Sequence, residues 1–358
     1  MSLKAAYTKK TFRFNFDART SRGQMEDKTS WFVKIWDAHH SDIIGIGECG
    51  PLPGLSIDYR PDFEKKLSAT LDQIKHFASR DIATLPLRKI LPIGYPSIVF
   101  GLETAVRDLS HGGRRMIFDN SFSKGLRIPI NGLIWMGDSD IMLRQIDEKI
   151  SKGFKCIKLK VGGINFDLEC EILNHIRKRF SRDEITLRLD ANGAFTGDNV
   201  MEKLRILSQF DIHSIEQPVK ARLTVMAEVC RTSPIPVALD EELIGIEGRD
   251  KKASMLDQLK PHFIVIKPSL HGGISGTNEW IELAKDRNIG WWVTSALESN
   301  IGLNAICQLT ANHPISIPQG LGTGMIYERN ILCPLTVDKG AIYLDPRGGW
   351  DVSMINEQ

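Results

Sequence analysis

A (β/α) barrel behind an N-terminal α+β domain is the fold this sequence predicts, and three observations predict it. Apolar, strand-like runs recur between residues 156 and 295, each closing on a charged or polar residue. The closing residues are Lys160, Asp190, Glu216, Asp240, Lys267 and Ser295, at steps of 30, 26, 24, 27 and 28 residues, room for one strand, two short loops and one helix. The runs are apolar on both faces, as strands covered on both sides must be. Repetition at this period closes a barrel whose strand ends converge on one mouth. A doubly wound open sheet reverses its order and gathers only the ends beside its switch point.

The N-terminal elements come in a different order. Residues 7–16, 31–36 and 43–47 read as antiparallel strands separated by polar, turn-rich stretches. Phe63, Leu67, Leu71, Ile74 and Phe77 then recur at helical spacing, as do Val99, Leu102, Val106 and Leu109 after Pro96, a residue favoured at a helix start. Strands followed by helices describe an α+β domain. The barrel is expected to open with residues 128–134.

Composition narrows the partners. The chain has 358 residues, 42% apolar and 25% charged, enough for one large barrel and a smaller domain. With 46 Lys+Arg against 44 Asp+Glu the net charge is +2, and no basic stripe interleaved with aromatics points to nucleic acid. Six cysteines form neither a Cys-x-x-Cys pair nor a zinc-like spacing, so reduced thiols are expected. No leader-like segment and no apolar run of about 18 residues is present, which points to the cytoplasm and away from a membrane. Gly45-Ile-Gly47-Glu-Cys-Gly50 fits the dinucleotide pattern, but Pro51 and Pro53 follow where that fingerprint needs a helix start. A lid over residues 46–56, with Gly54 at its tip, is the better expectation.

The candidate chemistry lies at the strand ends. Asp190, Glu216 and Asp240 would bring three carboxylates to one mouth, where charges about 4 Å apart repel by roughly 4 kcal/mol per pair. A cation must sit between them. Hard oxygen donors with no His or Cys at an equivalent strand end specify Mg²⁺, with Mn²⁺ as a substitute. Asp240 is chosen over Glu241 because it ends its apolar run and alternation turns the next residue away. Arg188, two residues before Asp190, is expected to point inward and orient that carboxylate.

Lys158 and Lys160 share one strand face, across the mouth from Lys267. Crowded, partly desolvated ammonium groups beside a cation have lowered pKa values. Roughly 4 kcal/mol brings a lysine from about 10.4 to between 7 and 8. Such a base suits removal of a proton α to a carboxylate that the metal binds, since the ion stabilises the resulting charge.

Taken together, Lys158-x-Lys160, Asp190-x-Asn192, Glu216-Gln-Pro218, Asp240-Glu241 and Lys267 resemble the muconate lactonizing enzyme branch of the enolase superfamily, over nearly the whole chain. The resemblance implies a modified TIM barrel, (β/α)7β, with an N-terminal α+β capping domain. The expected division is residues 1–125 for the cap with its lid, 126–325 for the barrel and 326–358 for a tail packing back on the cap. Residues 294–299 (Thr-Ser-Ala-Leu-Glu-Ser), residues 320–324 (Gly-Leu-Gly-Thr-Gly) and Arg188 resemble the o-succinylbenzoate synthase family more closely.

That finer resemblance implies syn loss of water from 2-succinyl-6-hydroxy-2,4-cyclohexadiene-1-carboxylate, a small-molecule carboxylate of menaquinone biosynthesis. Lys160 would be the acid/base and Lys267 a cation stabilising the dienolate. Ser295, Arg188, Gly54 and Gly322 are the residues expected around the substrate. Dipeptide epimerases and N-acylamino acid racemases share the metal and lysine set. The epimerases carry Asp-x-Asp after the eighth strand, where Gly322-Thr-Gly324 stands here. A non-catalytic binding protein is the reading from another class, and six polar groups kept at costly interior positions argue against it.

Overall fold

The computed structural model describes residues 2–20, 23–78, 82, 85 and 87–356. Three antiparallel strands begin the chain, β1 (Leu3–Thr20), β2 (Gly23–Asp37) and β3 (His40–Cys49), followed by helices α1 (Phe63–Ile74), α2 (Leu87–Ile90) and α3 (Pro96–Ser110). One face of this sheet packs on α1 and α3 through Val33, Ile35, Leu67, Ile98 and Leu102. Gly45 and Gly47 are explained here: a Cβ would stand 2.1 Å from the Ala105 carbonyl at the first and 1.8 Å from that of Gly101 at the second. These glycines let β3 pack directly against the backbone of α3.

The chain then alternates: β4 (Ile128–Pro129), β5 (Gly132–Ile134), α4 (Ser139–Ser151), β6 (Cys156–Lys160), α5 (Phe166–Arg179), β7 (Thr186–Asp190), α6 (Val200–Leu207), β8 (Ile212–Glu216), α7 (Met226–Thr232), β9 (Val237–Leu239), α8 (Arg249–Leu259), β10 (Phe263–Ile266), α9 (Gly273–Lys285), β11 (Gly290–Val293) and α10 (Asn300–Thr310). Strands β5 to β11 lie parallel in chain order, and isolated parallel bridges Thr294↔Gly320 and Ile130↔Gln319 join the two edges through an eighth segment. Among the described residues no α-helix follows α10. The fold is the modified barrel with an antiparallel sheet domain in front. The outward strand faces and the helix shell form one large apolar core, and Ala238, Val265 and Trp292 form a small separate cluster inside the barrel.

One strand expectation needs correction. Residues 128–134 do not form a single barrel strand. Ile128–Pro129 pairs antiparallel with β13 (Ala341–Leu344), itself paired to β12 (Leu335–Asp338), and only Gly132–Ile134 joins the barrel sheet. Pro129 has no N–H to give a central ladder, which suits it to the small outer sheet. Residues 326–331 lie against β1: Asn15 N donates to the Ile326 carbonyl at 2.9 Å, and the Tyr327 ring stacks on Phe14 with centroids 5.1 Å apart.

The start of α3 is capped from a distance. Asp58 Oδ2 accepts Ser97 N at 2.9 Å and Ser97 Oγ at 2.6 Å. Burial pushes its carboxyl up from 3.8 to about 6, against the pull of the Ser97 bonds. The folded form therefore binds its proton more tightly than the unfolded chain, so lowering the pH from about 6 to about 4 adds stability, up to about 3 kcal/mol. Comparing thermal midpoints of wild type and Asp58→Asn across that window should show the difference moving in favour of wild type as the pH falls. A constant difference would contradict this assignment. No helix in the described residues is long and apolar enough to cross a membrane, and all six cysteines are free.

Candidate active site

Parallel pairing sets the site. Lys160, Asp190 and Glu216 are direct register partners on β6, β7 and β8, so their side chains leave the sheet at one level and on one face. Lys158 is paired with Arg188 one layer below. Asp240 and Lys267 each stand one residue beyond the ends of β9 and β10. A cavity of about 2490 Å³ opens over these strand ends. Lys158, Lys160, Asp190, Asn192, Glu216, Glu241, Lys267, Ser295 and Gly322 line it, with Leu52 and Leu55 of the cap.

The charges are tightly interlocked. Lys158 Nζ donates to Glu216 Oε2 at 2.7 Å and lies 2.9 Å from Asp190 Oδ2. Lys160 Nζ donates to Asn192 Oδ1 at 2.5 Å and to Asp190 Oδ2 at 3.4 Å. Lys267 Nζ donates to Asp240 Oδ2. Burial alone would lower Lys158, but the Asp190 and Glu216 carboxylates outweigh it and hold the ammonium well above its usual range. Lys267 is likewise raised, by Asp240 and then Glu216, over the opposing effect of burial. The groups crowding these two lysines are acids. Carboxylates, not other ammonium groups, are their nearest neighbours.

The acids divide. Burial would raise Asp190, but Lys158 and Lys160 hold it below the carboxylate range. Burial would also raise Asp240, and Lys267 overrides it. Glu216 is pushed up to about 8, by burial first and then by the charge of Asp190. Glu216 Oε1 and Asp240 Oδ1 are buried and accept no hydrogen bond. Unmet buried carboxylate oxygens are what a hard cation would satisfy, and an all-oxygen set fits Mg²⁺. As they stand, no three His, Cys, Asp or Glu side chains among the described residues are gathered tightly enough to hold an ion, because the lysines draw the carboxylates onto themselves.

Three sequence expectations are corrected here. Arg188 faces the barrel interior but does not bond Asp190. It donates to the Pro318 carbonyl at 2.8 Å, lies 4.2 Å above the Trp292 ring and is absent from the cavity wall. Glu241 is not turned away. The strand ends at Leu239 and Glu241–Leu243 is a 3₁₀ turn, so alternation no longer applies, and Glu241 Oε1 accepts Asn192 Nδ2 at 3.2 Å inside the cavity. Of the segment 46–56, residues 46–49 are strand and Leu52 and Leu55 line the cavity, but Gly54 (φ +71°) is not in the cavity wall, nor would a Cβ there meet any atom within 4 Å.

Ser295 and Gly322 are at the cavity, and Ser295 Oγ shares a hydrogen bond with Thr323 Oγ1 at 2.5 Å. Sequence reasoning missed Thr323, Phe16, Met25 and Trp135. Phe16 and Trp135 pack with centroids 4.6 Å apart and ring planes tilted by 49° and, with Met25, make an apolar wall. Trp135 directly follows β5, so the strand-end rule applied to the other strands would have found it.

The comparisons with known proteins bear on this geometry. Residues 142–357 match the family described as "Enolase C-terminal domain-like". The chain is 41% identical to the o-succinylbenzoate synthase of Desulfotalea psychrophila, covering 95% of this chain and 98% of that protein. It belongs to the enolase superfamily. A solved structure within the superfamily, MenC from Desulfotalea psychrophila, superposes with a TM-score of 0.86 at 38% identity, covering 96% of this chain and all of that one. More distant is a D-Ala-D/L-Ala epimerase of Cytophaga hutchinsonii, 29% identical over 91% of both chains. Mg²⁺ is the usual ion of enolase-superfamily sites.

Proposed function

We propose that this chain is an o-succinylbenzoate synthase, a lyase that removes water from 2-succinyl-6-hydroxy-2,4-cyclohexadiene-1-carboxylate to give 2-succinylbenzoate. The observation that carries the reading is the 41% identity to such an enzyme over 95% of the chain. Asp190, Glu216 and Asp240 would hold Mg²⁺. The ion, when bound, would neutralise the substrate carboxylate and make the adjacent C–H bond more acidic.

The chain's own residues do the rest. Lys160, aimed by Asn192, takes the proton from the carbon α to the carboxylate and returns it to the hydroxide leaving the neighbouring carbon. The C–H and C–O bonds break, one water departs and the ring becomes aromatic. Lys267 comes from a strand separated from that of Lys160 by three others, and its ammonium stabilises the developing negative charge. Lys158 holds Asp190 and Glu216 together from below. Ser295 and Thr323 offer hydroxyls to the succinyl carboxylate, and Phe16, Met25 and Trp135 shield the ring from water.

The residues after the eighth segment, Gly322, Thr323 and Gly324, supply no carboxylate for a peptide ammonium, which disfavours dipeptide epimerisation. The test supplies the cyclohexadiene to the Mg²⁺-loaded protein and, in parallel, offers dipeptides and N-succinyl amino acids in deuterium oxide. Formation of 2-succinylbenzoate with slow or absent epimerisation is expected. Efficient epimerisation with the cyclohexadiene left untouched would overturn the assignment.

A further inference from the structure

We propose that Lys28 of the capping domain is a positioning residue for the active site, because it clamps the left-handed Leu297 peptide and so sets the turn that carries Ser295. The inference rests on the reading of Ser295 given above, and deepens it.

The turn after β11 has unusual geometry. Leu297 has φ +60°, a conformation that a branched side chain adopts only where its surroundings enforce it. Two donors converge on its carbonyl, Lys28 Nζ at 2.9 Å and Tyr327 Oη at 2.5 Å. Inside the turn, Leu297 N donates to Ser295 Oγ at 3.3 Å, and Ala296 N donates to Glu298 Oε2 at 2.6 Å. Thr294, Ser295, Ala296 and Leu297 all line the cavity. The orientation of the Ser295 hydroxyl toward a ligand is thus tied to a peptide whose geometry is imposed from outside the barrel.

The clamp is built at some cost. Lys28 is 1% exposed, and its charge is offset by two buried carboxylates, Glu298 and Glu48. Glu48, on β3, accepts Ser299 N at 2.9 Å, Ser299 Oγ at 2.6 Å and Gly302 N at 3.0 Å, so it fixes the start of α10 just beyond the turn. Glu298 is anchored by Ser269 Oγ at 2.5 Å. A Cβ on Gly50 would stand 2.7 Å from Lys28 Nζ, so the glycine that opens the loop after β3 leaves the ammonium its place. A lysine desolvated this fully is retained only where its charge is paired and its hydrogen bond matters. Among the described residues, the acceptor of its hydrogen bond is the carbonyl of that left-handed peptide.

The experiment measures steady-state dehydration by wild type, Lys28→Met, Tyr327→Phe and Leu297→Gly, and by Lys28→Met combined with Leu297→Gly. Methionine keeps the apolar stem and removes the charge. Lys28→Met should raise KM for the succinyl substrate on the order of ten-fold with kcat within about two-fold, and Tyr327→Phe should shift KM the same way by less. Glycine adopts φ +60° freely, so in the Leu297→Gly background the Lys28 substitution should cost less than about two-fold. A merely structural lysine would cost the same in both backgrounds, and that result overturns the proposal. Wild-type KM in both Lys28→Met and Tyr327→Phe overturns it as well, and Tyr327→Phe alone decides if Lys28→Met does not fold. A wild type that fails to dehydrate the cyclohexadiene refutes the functional reading instead, which keeps the two failures apart.

Discussion

Lys160→Ala will lose both 2-succinylbenzoate formation and exchange of the α proton, with kcat falling on the order of 10³- to 10⁴-fold, whereas Lys267→Arg will keep measurable dehydration. The difference follows from what each lysine must do. Syn loss of water needs one group that accepts and returns a proton on a single face, and Lys160 is the lysine held by Asn192 at the Asp190 edge of the cavity. Lys267 donates to Asp240 and in this reaction needs only to remain a cation, and arginine preserves that charge while being a far poorer base. Proton transfer between two faces, as in racemisation, would need both lysines to exchange protons. Equal loss in the two variants would therefore point to racemase chemistry. Single-turnover dehydration measured beside deuterium incorporation separates the cases.

The polar strand ends were legible because strand physics repeats. An apolar run closing on a charge every 24 to 30 residues leads directly to Lys160, Asp190 and Glu216 as register partners, and to Asp240 and Lys267 one residue beyond their strands. The same rule gave the layer of Arg188 but not its partners, since inward direction does not say which neighbour is reached, and Trp292 and Pro318 are 104 and 130 residues away. Glu241 was misread because alternation stops where the 3₁₀ turn begins. Residues 128–134 looked like one strand because an apolar run carries no record of which sheet each half joins. Lys28 was out of reach for a similar reason. Its acceptor lies 269 residues on, and in β2 it reads as an ordinary polar position.

Glu216→Gln, Asp190→Asn and Asp240→Asn should each bring dehydration below detection while leaving the barrel folded. Adding Mg²⁺ to wild type should raise its thermal midpoint in a way all three variants lose. The expectation starts from two buried oxygens with no hydrogen-bond donor, Glu216 Oε1 and Asp240 Oδ1, and from a Glu216 carboxyl pushed up to about 8 by burial and by Asp190. A divalent cation would meet both needs and compete with Lys158 and Lys267 for the carboxylates they now hold. Because only the folded chain brings the three acids together, binding adds to stability, about 2.7 kcal/mol at a hundred times the dissociation constant. Glutamine at 216 keeps the shape and can still accept from Lys158, so its fold should persist, but its neutral oxygen is a poorer ligand for a hard cation. Calorimetric scans with and without the ion read this without relying on turnover. If Glu216→Gln gained as much from Mg²⁺ as wild type, Glu216 would be removed from the ligand set, and Glu241, already in the cavity beside Asn192, would be the next carboxylate to replace.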